Sequence, residues 1–363
     1  MRKNSPLSFK LFRIIPRTVQ LIIPVLIFVF VACSDRWEIS NPYRQVKWEN
    51  DGQYKANLHT HTTRSDGSHA PQYVVDKYHQ LGYNILALTD HNEVTFPWTS
   101  FASMEASTKS KERLKEGKVS AENLVYENRD PKVLGMIAIQ GNEVSSPHHV
   151  GSLFNDYNRP TKQEDSTFIA TAAKNGLVII NHPGRYKHNA QWYIDFYKKY
   201  NHLVGMEIYN QVDRYPNDRQ LWDSVLVALL PARPVWAYSN DDMHGEAKLG
   251  YSWNIFILPE LSEEWVRKGM EEGRSFYVHS PQGHKNLQMP VVQSVQVFPK
   301  KGRIDIRVTG QDSVRWISGG KIIQRGASLK LNDCPDISSY VRAEIFGPQG
   351  LVVGTQPFSV SKR

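Results

Sequence analysis

The chain has 363 residues, 40% of them apolar and 22% charged, enough for one large domain plus a smaller one with a full core. Its net charge of +8 is concentrated at the start: Arg2, Lys3, Lys10, Arg13 and Arg17 precede Cys33 with no acid among them, which leaves 39 basic against 36 acidic residues. That balance is no nucleic-acid signature, so no nucleic-acid partner is expected. With only Cys33 and Cys334, no thiolate cluster can hold a metal.

Residues 18–34 carry no charge and follow the basic segment, the layout of a secretory signal. Phe30, Val31 and Ala32 before Cys33 are similar to a lipoprotein lipobox, in which the cysteine becomes the acylated first residue. An uncleaved membrane anchor is the alternative, although the stretch is near the roughly 17-residue lower limit for spanning and Pro24 interrupts it. Either outcome makes this an exported, membrane-attached chain facing the periplasm or cell exterior. The polar residues 34–51 then read as a tether.

From residue 52 short apolar runs alternate with amphipathic stretches, the pattern of strands and crossover helices in a parallel sheet or barrel. Seven strands are expected at 56–59, 85–88, 136–139, 149–154, 177–180, 204–208 and 235–238, with helices at 71–81, 163–175, 191–200 and 218–230. Residues 97–130 form a long polar insertion, expected as a solvated helix in preference to a substrate lid. A further strand at 253–258 and a helix at 262–273 complete an α/β domain over 52–285. Residues 289–363 alternate apolar and polar positions between Gly and Asn, which predicts a separate small C-terminal antiparallel β-sandwich.

The strand ends carry metal-ligand residues, where a parallel barrel places its loops. His59 and His61 alternate along one strand and face one point. Asp66 lies in a Ser-Asp-Gly turn, His91 follows the second strand, and Glu143 the third. His148 and His149 open the fourth, His182 ends the fifth, and Asp242 and His244 the seventh. Any one of these reads more readily as a hydrogen-bonded surface histidine or a turn aspartate; six separated repeats of the same choice do not.

The motifs HTHTTRSDG at 59–67, TDHN at 89–92, GNEVS at 141–145, HVGSLF at 149–154, NHPG at 181–184 and DMH at 242–244 resemble those of the polymerase and histidinol phosphatase (PHP) metallohydrolases. They span about half of the chain. The resemblance implies a distorted seven-stranded β/α barrel around a trinuclear site. One metal would sit on His59, His61, Glu143 and Asp242, and a second on Asp66, His91 and His244. The third would use His149 and His182, with Glu143 bridging. The family pattern selects His149 over His148, and a two-metal enzyme stays open because the gap after Glu143 is short.

Nitrogen and carboxylate donors suit zinc, manganese or iron, so two to three such divalent ions are the expected cofactors. The implied activity is hydrolysis of a small phosphorylated substrate, a phosphate mono- or diester, by metal-bound hydroxide. Asp242 or His244 would assist the leaving oxygen, and Arg185 or Arg64 would pair with phosphate oxygens. Asp90 and Asp241, beside ligands, would orient imidazoles or make turn hydrogen bonds. Glu207 and Asn210 would shape the pocket, while Tyr186, Trp192 and Tyr209 would form its wall or core. Competing readings are an amidohydrolase, which also begins with His-x-His but expects a carbamylated lysine, and an envelope binding protein without catalysis.

Overall fold

The computed structural model describes residue 1, residues 37–285 and residues 288–362. The signal, lipobox and Cys33 lie outside them. Among the described residues no helix is long and apolar enough to cross a membrane. The described residues from 37 to 362 belong to one compact unit.

Two sheets carry the metal-ligand motifs. In the first, Gly52–Asn57, Ile85–Ala87 and Ile137–Ile139 run parallel, and Ser252–Leu258 joins Gly52–Asn57 antiparallel. The second has five strands in chain order: Gly141–Val144, Val150–Leu153, Leu177–Ile180, Leu203–Asn210 and Trp236–Asn240. Their facing sides share a core of Leu58, Ile85, Ile139, Ile179, Val204, Tyr238 and Phe256, closed at one end by Val266 and Met270 of the helix Glu263–Glu272. The opposite end is left to polar side chains.

The expected seven-stranded barrel is not closed. The chain passes between the sheets at Gln140, and Trp236–Asn240 has no backbone ladder to Ser252–Leu258. Buried asparagines stitch that seam instead. Asn254 Oδ1 accepts from Ser239 N at 3.0 Å and its Nδ2 donates to Ser239 O at 2.8 Å, while Asn240 Oδ1 accepts from Leu58 N at 3.0 Å. Such pairing satisfies backbone groups that a closed ladder would otherwise take. The parallel pattern also fails at Val150–Leu153, which runs antiparallel to both neighbours. Parallel strands need a crossover of about a dozen residues, and the five residues 145–149 allow only a hairpin.

The C-terminal segment is not a separate sandwich. Val352–Thr355 pairs with Ser275–His279, so the first sheet continues without a break through Tyr340–Phe346 to Phe358–Lys362. Only Val291–Phe298, Arg303–Thr309 and Ser328–Lys330 form a sheet of their own, and their Val292, Ile304 and Leu329 share a core with Trp253 and Phe276. Residues 37–51 are not a free tether either: Trp37–Ser40 pairs with the last strand and Tyr43 is buried. Tyr43 and Trp37 are large apolar side chains that gain more from this burial than from solvation.

Candidate metal centre

Two bridges at the open end of the sheets place the donors. Thr60 pairs with Met243, with His61 N donating to Met243 O at 2.9 Å, so the HTH and DMH segments lie side by side. His91 pairs with Glu143, and Glu143 N donates to Thr89 O at 3.2 Å, which joins TDHN to GNEVS across the gap between sheets. The turn after His61 folds back so closely that a Cβ on Gly67 would stand 2.5 Å from His61 O. Asp90 fastens this turn, accepting from Thr62 N at 2.8 Å and from Ser65 Oγ and Thr95 Oγ1 at 2.7 Å.

All nine expected donors converge. Their ligand atoms form four overlapping groups, each within 4.8 Å: His61, Asp66, His91 and His244; His59, His61 and Asp242; His59, Glu143 and His182; His91, Glu143 and His149. The partition differs from expectation. His61 belongs with Asp66 as well as with Asp242, and Glu143 faces His59, His149 and His182 through Oε1, each at 3.2 Å. His149 is the histidine of the cluster. His148 turns away, its Nε2 2.8 Å from His188 Nε2 and its Nδ1 2.5 Å from Glu164.

The donor set fits a bound cation. His59 Nε2 and His61 Nε2 are 3.1 Å apart, and His61 Nε2 is 3.1 Å from Asp242 Oδ1. Ligand bonds of about 2.0–2.1 Å imply donor-to-donor edges of roughly 3.0–3.4 Å. Among the described residues, Glu143 Oε2, Asp242 Oδ1 and His149 Nδ1 are buried with only other donors of the cluster beside them and no well-aligned hydrogen bond. Such atoms are costly unless something else satisfies them. Asp242 and His182 also hold positive φ, +43° and +28°, strain that persists only where surroundings impose it.

Hydrogen bonds behind the cluster set the imidazole tautomers. His59 Nδ1 donates to Glu207 Oε1 at 2.8 Å, which turns its Nε2 toward the centre. His244 Nδ1 donates to Asp242 O at 2.9 Å, which turns its Nε2 toward the centre, 3.3 Å from Asp66 Oδ1. Asp242 Oδ2 is held by Gln211 Nε2 at 3.1 Å and Asn210 Nδ2 at 3.3 Å. Glu207 was legible only as a pocket wall; Ser145, 2.7 Å from His91 Nδ1, and Asn181, 2.9 Å from Glu143 Oε1, had no signal beyond their place next to ligands.

Without metal the imidazoles divide: His59, His91 and His244 are shifted up, His61 and His149 down. Burial disfavours the cationic form of His91, but the Asp66 and Glu143 carboxylates outweigh it and push its pKa up to about 10. Burial likewise opposes the rise at His59, which Asp242, Glu143 and Glu207 drive well above the ordinary range. Burial would raise Asp66, yet His244 and His91 hold its carboxyl well below the usual carboxylate range.

Other expected residues fall differently. Asp241 touches no imidazole; it accepts the Gly250, Tyr251 and Ser252 N–H groups and the Tyr78 hydroxyl, and burial lifts its pKa to about 6. Asp90, as shown, also serves the turn. Arg64 pairs with Glu93 at 3.0 Å and with Glu105 O, so it is not free for a substrate. Arg185 is exposed on the short turn Pro183–Tyr186, its guanidinium carbon 5.8 Å from the Tyr186 ring centre. Tyr186 lies at the rim, its hydroxyl accepting from His149 N at 2.8 Å. Trp192 stacks on His188 at 4.3 Å, and Tyr209 on His279 at 4.5 Å.

No family model and no curated protein matches the chain. Among solved structures it is similar to a two-domain protein from Bacteroides vulgatus described as containing a predicted PHP-like metal-dependent phosphoesterase, at 14% identity and a TM-score of 0.49, covering 86% of this chain and 96% of that one. It is also similar to an amidohydrolase from Chromobacterium violaceum with bound sulfate and no metal, at 15% identity and a TM-score of 0.35, covering 61% and 96%. A third likeness is to Endonuclease Q in complex with a 27-mer duplex substrate carrying an abasic lesion, at 13% identity and a TM-score of 0.36, covering 61% of this chain and 57% of that one. With a nuclease on a duplex substrate among these structures, the expectation that nucleic acid is no partner does not stand.

Proposed function

We propose that this chain is a metal-dependent phosphoesterase of the PHP type, hydrolysing phosphate mono- or diesters at the cluster of His59, His61, Asp66, His91, Glu143, His149, His182, Asp242 and His244. The observation that carries the reading is the convergence of these nine donors into four overlapping groups, with buried ligand atoms that have no well-aligned hydrogen bond. Two to three zinc, manganese or iron ions fit the donor types. Divalent ions in such a centre polarise the phosphoryl group and lower the pKa of water to roughly 7.

The residues supply the rest. Asp66, Glu143 and Asp242 place three carboxylates in the cluster and Glu207 a fourth behind it. Three divalent ions exceed these by two charges, which favours an anionic ester. Glu207 keeps His59 Nε2 toward the centre by holding the proton on Nδ1, and the Asp242 carbonyl does the same for His244. The opening lies on the side of His244, whose side chain at 35% is the most exposed of the nine, and Arg185 stands beyond His182 to meet the outer part of a substrate. Export with a lipid on Cys33 is part of the proposal and would hold this activity at a membrane surface.

The purified chain should retain two to three transition metals and release the phenol from aryl phosphate mono- or diesters. His61→Ala should lose metal and lower turnover by at least about 100-fold while the circular-dichroism spectrum stays native. Metal retention with cleavage of amides or lactones only would instead identify an amidohydrolase. A metal-free, inactive protein would leave a binding role.

A further inference from the structure

The helix Thr108–Lys115 belongs to none of the ligand motifs, yet it is fastened to the loop that carries Asp66. Ser110 Oγ donates to Thr63 O, and Arg113 Nη1 donates to Gly67 O at 2.7 Å and Ser65 O at 3.4 Å. From this fixed helix Lys109 extends its Nζ to 3.3 Å from Asp66 Oδ2, while 53% of the side chain stays exposed. Asp66 is the one carboxylate in the group with His61, His91 and His244.

When that group holds a divalent cation, the Asp66 charge is taken up by it, and the ammonium is left beside a centre of its own sign. An anion spanning the cation and Nζ relieves that repulsion, and a flexible four-carbon stem lets the ammonium follow it. Arg64, the cation that the loop itself carries, is already committed to Glu93 and Glu105. We propose that Lys109 binds a non-bridging phosphate oxygen of the substrate, so that the insertion supplies a substrate-contacting residue to the metal centre. The assignment rests on the phosphoesterase reading and extends it to a residue outside the motifs.

The test compares the metal-loaded full chain with Lys109→Met and Lys109→Arg. The readouts are metal per chain, the dissociation constant of inorganic phosphate by calorimetry, and KM and kcat on an aryl phosphate. Lys109→Met should keep its metal, weaken phosphate and raise KM by at least about tenfold, with a much smaller change in kcat, and Lys109→Arg should restore most of the binding. Phosphate binding in Lys109→Met equal to wild type, beside a working wild-type enzyme, would overturn the lysine assignment alone; so would loss of metal, which would mean that the lysine only holds Asp66 in place. A loaded wild type that neither binds phosphate nor cleaves esters would bring down the phosphoesterase reading and this proposal with it.

Discussion

Two buried carboxylates near the same turn illustrate how position decides chemistry. Glu207, inside the fully buried strand Leu203–Asn210, accepts from His59, Asn240, Asn210 and the His182 N–H, so both its oxygens are satisfied. Asp218 is equally buried but accepts only the Gly184 N–H, at 2.6 Å, and its Oδ2 has no partner among the described residues. Burial therefore pushes its pKa up to about 8. Against an unfolded value of roughly 3.9, such a group takes up a proton on folding. Its contribution to stability is complete below about pH 4 and is lost as the pH rises through about 8. Asp218→Asn keeps the acceptor for Gly184 without the titration. Its melting temperature relative to wild type should climb steadily from pH 4 to pH 8; a difference that stays flat with pH would show that Asp218 is ionised in the fold.

Among the elements, the helix of the insertion is solvated over most of its length, as expected, but one side of it is fastened to the ligand turn. One side of Thr108–Lys115 is bonded to backbone carbonyls of the ligand turn, and the Ser107 cap, accepting from Ser110 N at 3.1 Å, starts the helix at that contact. Arg113 offers a charged donor to two carbonyls that have little other recourse. Arg113→Ala should cost about 1.5–3 kcal/mol and open residues 97–130 to limited proteolysis, with metal retention weakened because the Asp66 turn loosens. Unchanged protease resistance in that variant would show that Ser110 alone secures the helix. The hairpin of Gly141–Val144 and Val150–Leu153 departs from the expected parallel pattern. It brings His149 back over Glu143 within one short turn, which a crossover helix would have carried away.

For the whole molecule, the decisive feature is that the C-terminal strands continue the sheet that carries the HTH motif. Arg342 ties them to the helix Asp218–Leu229 through Asp223, with both bonds at 2.8 Å, and its Nη1 donates to Glu344 Oε1 at 2.6 Å. At the junction, Gly354 faces the Tyr277 ring so tightly that a Cβ there would lie 1.8 Å from Cζ. Gly354→Ala should destabilise the protein by at least about 3 kcal/mol, since a fully buried ring has nowhere to move. The melt should remain one transition in which metal release and loss of tertiary fluorescence coincide. Two separated transitions would restore the picture of an independent C-terminal domain.

The donors were legible from the chain alone because each is a charged or imidazole side chain at the end of a short apolar run, and such residues have few reasons to recur there six times. Most strands and helices were legible for the same kind of reason, since burial of one face or both imposes a period on the residues. What only the tertiary structure decided are relations between distant segments: the open seam held by Asn57, Asn240 and Asn254, the Glu207 carboxylate behind His59, and the shared sheet at Phe276 and Thr355. Asparagine and glutamate within apolar strands announce no partner locally, and a strand's alternation fixes which face is buried without naming the strand beside it.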